Sequence, residues 1–131
     1  MTIHSVGKDD AASELRLNLQ LLRGNIPNAA KAGELLLRFK RDLRRELRKI
    51  EQSFAQDDLA NVPFHAHRIR SGSLYLGIMS IGDAAKALES HLETHASRQD
   101  IQTSWQRLTE ACRFFLDHDD RDLLARIRDK P

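Results

Sequence analysis

Residues 29–54 read AAKAGELLLRFKRDLRRELRKIEQSF, and their apolar positions settle the class of fold. Ala29, Ala32, Leu36, Phe39, Leu43, Leu47, Ile50 and Phe54 recur at spacings of three and four. That is one stripe along about seven turns of α-helix, with charged residues on the remaining faces. Pro27 stands where a first helical turn tolerates it, since proline lacks only an N–H that would be unpaired there. Asp57 or Asp58 is placed to cap the next helix.

Outward from this helix the same period repeats. Between Leu59 and Leu76 the stripe is Val62, Ala66, Ile69, Ser73 and Leu76, small and medium residues that let helices approach closely, with Gly77 as a C-terminal cap. Next come Ile81, Ala84, Ala85, Leu88 and Leu92, then Ile101, Trp105, Leu108, Cys112 and Phe115. Four amphipathic helices joined by short loops predict an all-α antiparallel four-helix bundle over residues 26–118. Residues 1–12 read as a loose leader. In 13–23, Leu15, Leu17, Leu19 and Leu21 alternate like a strand, whereas Leu15, Leu19 and Leu22 fit a helix. With no second strand to pair, residues 1–25 are expected to be a leader ending in a short helix or arm. The charge-dense stretch 119–131 is expected to be a tail that frays after a turn or two.

Composition narrows the function. The chain has 131 residues, 21 Lys and Arg, 19 Asp and Glu and one cysteine, a size that suits one domain with its own core. No apolar run approaches a membrane span, so no membrane insertion is expected. The lone Cys112 suits a reducing, cytoplasmic setting, and its place on an inward stripe argues against a nucleophilic role. Residues 38–49 are strongly basic, but their cations are spread around the helix among carboxylates. They lack a recognition turn or stacking platform, so nucleic acid is not expected as a partner. A helical adaptor for an anionic partner remains an alternative, as does steering toward an acidic surface.

The least ordinary stretch is FHAHRIRSGSLYLG, residues 64–77. With Ile69 at the centre of the buried stripe and about 100° per residue, His67 falls at about 160° and His65 at about 40°. His67 is therefore presented to solvent while His65 leans toward the core. Arg70 at i+3 and Ser71 at i+4 lie beside His67. An imidazole with a guanidinium and a hydroxyl alongside suits a transient phosphate. The neutral ring nitrogen is nucleophilic, and Arg70 can balance the added charge. Phe64, Leu74 and Tyr75 form a candidate apolar rim for a docking partner, and Gly72 removes bulk nearby. Yet an exposed histidine on a helix is most often a plain surface residue. Leu74, Tyr75 and Gly72 fit helix packing equally. A metal site built from His65, His67, His91 and His95 is a further alternative, weakened because residues two apart face different sides of a helix.

The run His67-Arg68-Ile69-Arg70-Ser71-Gly72-Ser73, with Leu76-Gly77 after it, resembles the signature of histidine-containing phosphotransfer (HPt) domains. That signature is a histidine, an apolar residue at +2, Lys or Arg at +3, small residues next and Gly at +10. The likeness covers roughly residues 28–118, including Leu36-x-x-Phe39, the acidic turn Asp57-Asp58 and Leu88-Glu89. The resemblance implies a four-helix bundle that is not an enzyme. It takes a phosphoryl group from the aspartate of one receiver domain and passes it to another, in a hybrid sensor kinase or a response regulator. It implies no cofactor of its own, with Mg²⁺ belonging to the receiver, and a monomer is expected. By this likeness His67 is the acceptor and Arg70 the phosphate-stabilising base, with Ser71 beside it. Arg68 joins Phe64, Leu74 and Tyr75 on the docking side, where Gly72 leaves room for the partner. Ser71 stands where the family most often has Gly, and Tyr75 is bulkier than the pattern leads one to expect.

Overall fold

A computed structural model describes residues 15–128. Its helices are α1 (Leu19–Asn25), α2 (Ala29–Ala55), α3 (Val62–Tyr75), α4 (Met79–Glu93), α5 (Arg98–Leu116) and α6 (Asp120–Arg128). Helices α2 to α5 form the expected bundle. Helix α3 packs against α2 and α4, α4 against α5, and the α2–α5 side closes least tightly. Two ring contacts show that α2 and α5 run in opposite directions. Phe39 meets Phe115 at 6.0 Å between centroids, and Phe54 stacks on Trp105 at 5.4 Å.

The buried stripe of α3 is the predicted one, with Val62, Ala66, Ile69, Ser73 and Leu76 all enclosed. Ser73 carries a hydroxyl into this core, and it is satisfied by donating to Arg70 O at 3.0 Å. Leu36, Leu43, Ile50, Ile81, Leu88, Leu108 and Phe115 complete the centre. Each contributes about 1.5–3 kcal/mol when fully enclosed. Cys112 lies among them, buried and unpaired, and burial pushes its thiol pKa far above the ordinary range. Other positions read as inward are only partly covered, namely Phe39, Leu47, Phe54, Ala84, Leu92, Ile101 and Trp105, while Ala29 is exposed.

The helix ends differ in detail from the sequence reading. Asn28, one residue after Pro27, caps α2, its side chain accepting from Lys31 N, so Pro27 lies just outside the helix. Helix α3 starts at Val62 with Asn61 as N-cap, later than Leu59, and Pro63 occupies its first turn. Asp58 instead accepts from Ala60 N in the turn, and Asp57 adopts φ 54° there. Gly77 behaves as expected. At φ 77° it ends α3, with Gly77 N donating to Leu74 O and Ile78 N to Ser73 O. A Cβ at Gly77 would also stand 2.4 Å from Asn18 O.

That contact belongs to the N-terminal arm, which is both strand-like and helical in turn. Leu17 makes an antiparallel bridge to Ile78, and Asn18 N donates to Gly77 O at 2.7 Å. Asn18 then caps the short α1. Leu15, Leu22 and Ile26 are buried in the common core. The described part of the arm is thus built into the bundle, whereas residues 1–14 lie outside the described residues.

The stretch expected to fray holds α6. Leu123 and Ile127 are buried against the bundle, and Lys40, 6 % exposed, donates to His118 O and to Asp120 Oδ1, both at 2.6 Å. Four-residue spacing puts Leu123 and Ile127 on one face, and that face supplies what a charge-dense sequence conceals. By sequence alone Lys40 is one more surface cation of the basic run. Among the described residues, no helix is long and apolar enough to cross a membrane.

Candidate functional site

His67 stands on the outer side of α3, its side chain 56 % exposed. The backbone places it there because Ala66 and Ile69 fill the inner face of the same turn. Arg70 Nη2 is 3.2 Å from Nδ1, and Ser71 Oγ is 3.4 Å from Nε2. The two neighbours read from helical spacing therefore do flank the ring. A third comes from another helix, since Glu89 of α4 sets Oε2 at 3.3 Å from His67 Nδ1. Its other oxygen, Oε1, lies 3.0 Å from Arg70 Nε, yet that buried atom has no hydrogen bond of good geometry.

These contacts carry a tautomer choice. A guanidinium only donates and a carboxylate only accepts, so Arg70 and Glu89 make opposite demands on Nδ1 of a neutral ring. With the proton on Nδ1, Glu89 accepts it, Nε2 keeps its lone pair, and the Ser71 hydroxyl can donate to it. With the proton on Nε2, Arg70 donates to Nδ1 instead. The first state leaves a nucleophilic nitrogen, backed by a carboxylate that holds the ring.

His65 leans inward as periodicity requires. Its Nδ1 is 2.6 Å from Oε1 of Glu46, and Oε2 of the same carboxylate is 3.2 Å from Arg68 Nε. Glu46 is itself buried, so the α2 carboxylate is held by two partners on α3 rather than left unpaired. The Arg68 guanidinium lies over the Phe64 ring at 5.5 Å, within cation–π range. One linked set of contacts thus fixes Phe64, His65 and Arg68 on either side of His67 in the sequence.

The rim residues divide. Phe64, Arg68 and Tyr75 are exposed, and Tyr75 is tied to α1 through Asn25, whose Nδ2 donates to Tyr75 O at 2.9 Å. Leu74 turns toward α4 and packs on Gly82. Gly72 faces α2, where a Cβ would stand 2.8 Å from the Phe39 ring. Its small size makes room for Phe39, the helix-packing use that the sequence equally allows it. A groove of about 520 Å³ opens beside the histidine, with Arg70, Lys86 and Glu89 in its walls.

Glu89 has no role that the sequence alone could assign, although Leu88-Glu89 forms part of the family pattern. It lies 22 residues from His67 on a different helix, so no periodicity links the two. Glu46 is likewise inconspicuous in the sequence, one of two carboxylates in a basic run. The four histidines considered for a metal do not gather. His65 is engaged by Glu46, His91 bonds Ser104 through Nδ1, and no metal-holding group of His, Cys, Asp and Glu occurs among the described residues.

The bundle thus presents His67 to solvent with a cation and a carboxylate converging on its ring. The Hpt domain family model matches residues 34–129, and the chain belongs to that family. Hpt domains perform histidine phosphotransfer in phosphorelays and interact with receiver domains of two-component systems. The match runs through α6, consistent with the burial of Leu123 and Ile127. No curated protein and no solved structure matches the chain.

Proposed function

We propose that His67 is the phosphoacceptor, taking the group from a receiver-domain aspartate and yielding it to the aspartate of a second receiver. The observation that carries this reading is the convergence of Glu89, Arg70 and Ser71 on one exposed imidazole. The Nε2 lone pair attacks phosphorus of the aspartyl phosphate, the N–P bond forms, and the P–O bond to the aspartate breaks. The carboxylate leaves with its electron pair. The ring keeps its Nδ1 proton, held by Glu89, so the phosphorylated ring needs no second base. Arg70 then exchanges part of its pairing with Glu89 for the phosphoryl oxygens, while Ser71 donates from its hydroxyl.

The bundle supplies a nucleophile and a docking face, and the receiver supplies Mg²⁺ and the acyl phosphate. The protein is in this respect a carrier rather than an enzyme, with no cofactor of its own. Phe64, Arg68 and Tyr75 are the exposed residues on which the receiver would seat, with a monomer in the cytoplasm as the working form. The test is transfer from a phosphorylated receiver to the protein, read as acid-labile, base-stable label. His67→Gln should take up none while remaining helical. Undiminished label on that variant would overturn the assignment.

A further inference from the structure

The face of the bundle opposite His67 carries a second feature. In the order α2-α3-α4-α5 around an antiparallel bundle, the α3–α4 side and the α2–α5 side lie back to back. The α2–α5 side is the one that closes least tightly. A groove of about 230 Å³ runs along it, with Leu47, Trp105 and Leu116 forming a partly buried floor. Arg44, Arg48 and Arg113 stand exposed on its walls.

These three arginines differ from those near the histidine. Arg68 and Arg70 are each paired with a carboxylate, at 3.2 and 3.0 Å. Arg44, Arg48 and Arg113 make no ion pair with any described residue. Glu51 is the lone carboxylate among the described residues of the groove, so the walls carry a net positive charge over an apolar floor. That combination is complementary to an amphipathic helix with apolar residues along one stripe and carboxylates on both flanks. The stretch from Arg44 to Glu51 covers about 10 Å of α2, room for two turns of such a helix.

We propose that the α2–α5 groove docks an acidic amphipathic helix of a partner protein, leaving the His67 face free. The floor argues against single-stranded nucleic acid. Trp105 is the only tryptophan, and its ring is already stacked on Phe54 rather than open to a base. The recessed position of the apolar floor between guanidiniums also argues against a membrane, which needs protruding apolar side chains. Docking in this groove is independent of the phosphoryl chemistry at His67.

Trp105 gives a direct readout from the groove floor. The full chain is titrated with a tryptophan-free helical peptide bearing leucines at i, i+3, i+4 and i+7 and glutamates on both flanks. The same peptide with lysines in place of glutamates serves as control. Phosphatidylglycerol vesicles and a single-stranded DNA oligonucleotide are titrated in parallel. The expected result is a saturable blue shift of Trp105 emission with the acidic peptide alone. Binding should weaken about tenfold in Arg44→Glu/Arg48→Glu and in Arg113→Glu, with retained helicity, and weaken with added salt. His67→Gln should bind as the unaltered chain does. No response to the acidic peptide, an equal response to the lysine peptide, or affinity unchanged in both arginine variants would overturn the proposal. A response only to vesicles or to DNA would overturn it in favour of that other partner.

Discussion

Glu89 reaches two residues of α3 at once, with Oε2 3.3 Å from His67 Nδ1 and Oε1 3.0 Å from Arg70 Nε. The carboxylate thereby couples the ring orientation of His67 to the position of the cation beside it. It is also the one participant in this arrangement that α4 provides. Its side chain is 20 % exposed, so both contacts are shielded from solvent more than a surface pair would be.

Removal of that carboxylate should release the ring. In Glu89→Ala, phosphoryl transfer to the protein should slow by about tenfold to a hundredfold, as when a metal-bound histidine loses the carboxylate that orients its other ring nitrogen. Glu89→Gln, whose carbonyl still accepts from Nδ1–H, should recover part of the rate. Nitrogen chemical shifts of His67 should show a smaller Nδ1-protonated fraction in the alanine variant. An unaltered tautomer ratio would separate Glu89 from the ring.

Arg70→Ala should shorten the phosphohistidine lifetime or slow its transfer while the bundle stays folded. The Arg70–Glu89 pair is partly solvated, and such pairs contribute up to about 1 kcal/mol. A denaturant midpoint close to that of the unaltered chain, with changed transfer kinetics, is the expected signature. Unchanged kinetics would remove Arg70 from the site.

Gly72 is assigned to packing, and a methyl group tests that. In Gly72→Ala the new Cβ would stand 2.8–2.9 Å from two atoms of the Phe39 ring. Overpacking of this sort costs about 1–3 kcal/mol, against a helix-propensity gain of about 1 kcal/mol. The net result should be a destabilised bundle, and Phe39→Leu in the same chain should relieve it. Urea denaturation of the single and double variants measures the coupling. Full stability of the single variant would favour the reading of Gly72 as space for a partner.

Helix α6 should behave as part of the core. Leu123→Ala should cost about 2–5 kcal/mol, as for other enclosed leucines, measured by thermal or chemical denaturation. A tail that merely frays would give almost no change.

Cys112 offers a pH-dependent check. Burial raises its thiol pKa in the folded chain above the unfolded value. The folded state therefore holds this proton more tightly. Its contribution to stability is complete below the ordinary thiol range and is lost progressively as pH rises above it. Alkylation should be slow in the native protein and rapid in denaturant, whereas fast native alkylation would place the thiol nearer the surface than the packing of α5 allows.

Much of this fold is legible in the sequence. The three-and-four spacing of Leu36, Phe39, Leu43, Leu47 and Ile50 determined the long helix, because a helix returns those positions to one face regardless of what covers them. The same arithmetic placed Ile69 inside, His67 outside and His65 between, and it put Arg70 and Ser71 beside His67. Gly77 was legible as a stop because a left-handed residue at a helix end is a local requirement. Only the tertiary structure decided which groups from other helices meet that face. Glu89 reaches His67 from α4, Glu46 reaches His65 and Arg68 from α2, and Phe39 occupies the space that Gly72 leaves. The burial of Lys40 and the docking of α6 belong to the same group. Periodicity along one helix says which way a side chain points; what it meets there depends on how the helices are set against one another, and that is fixed by the packing of the whole core.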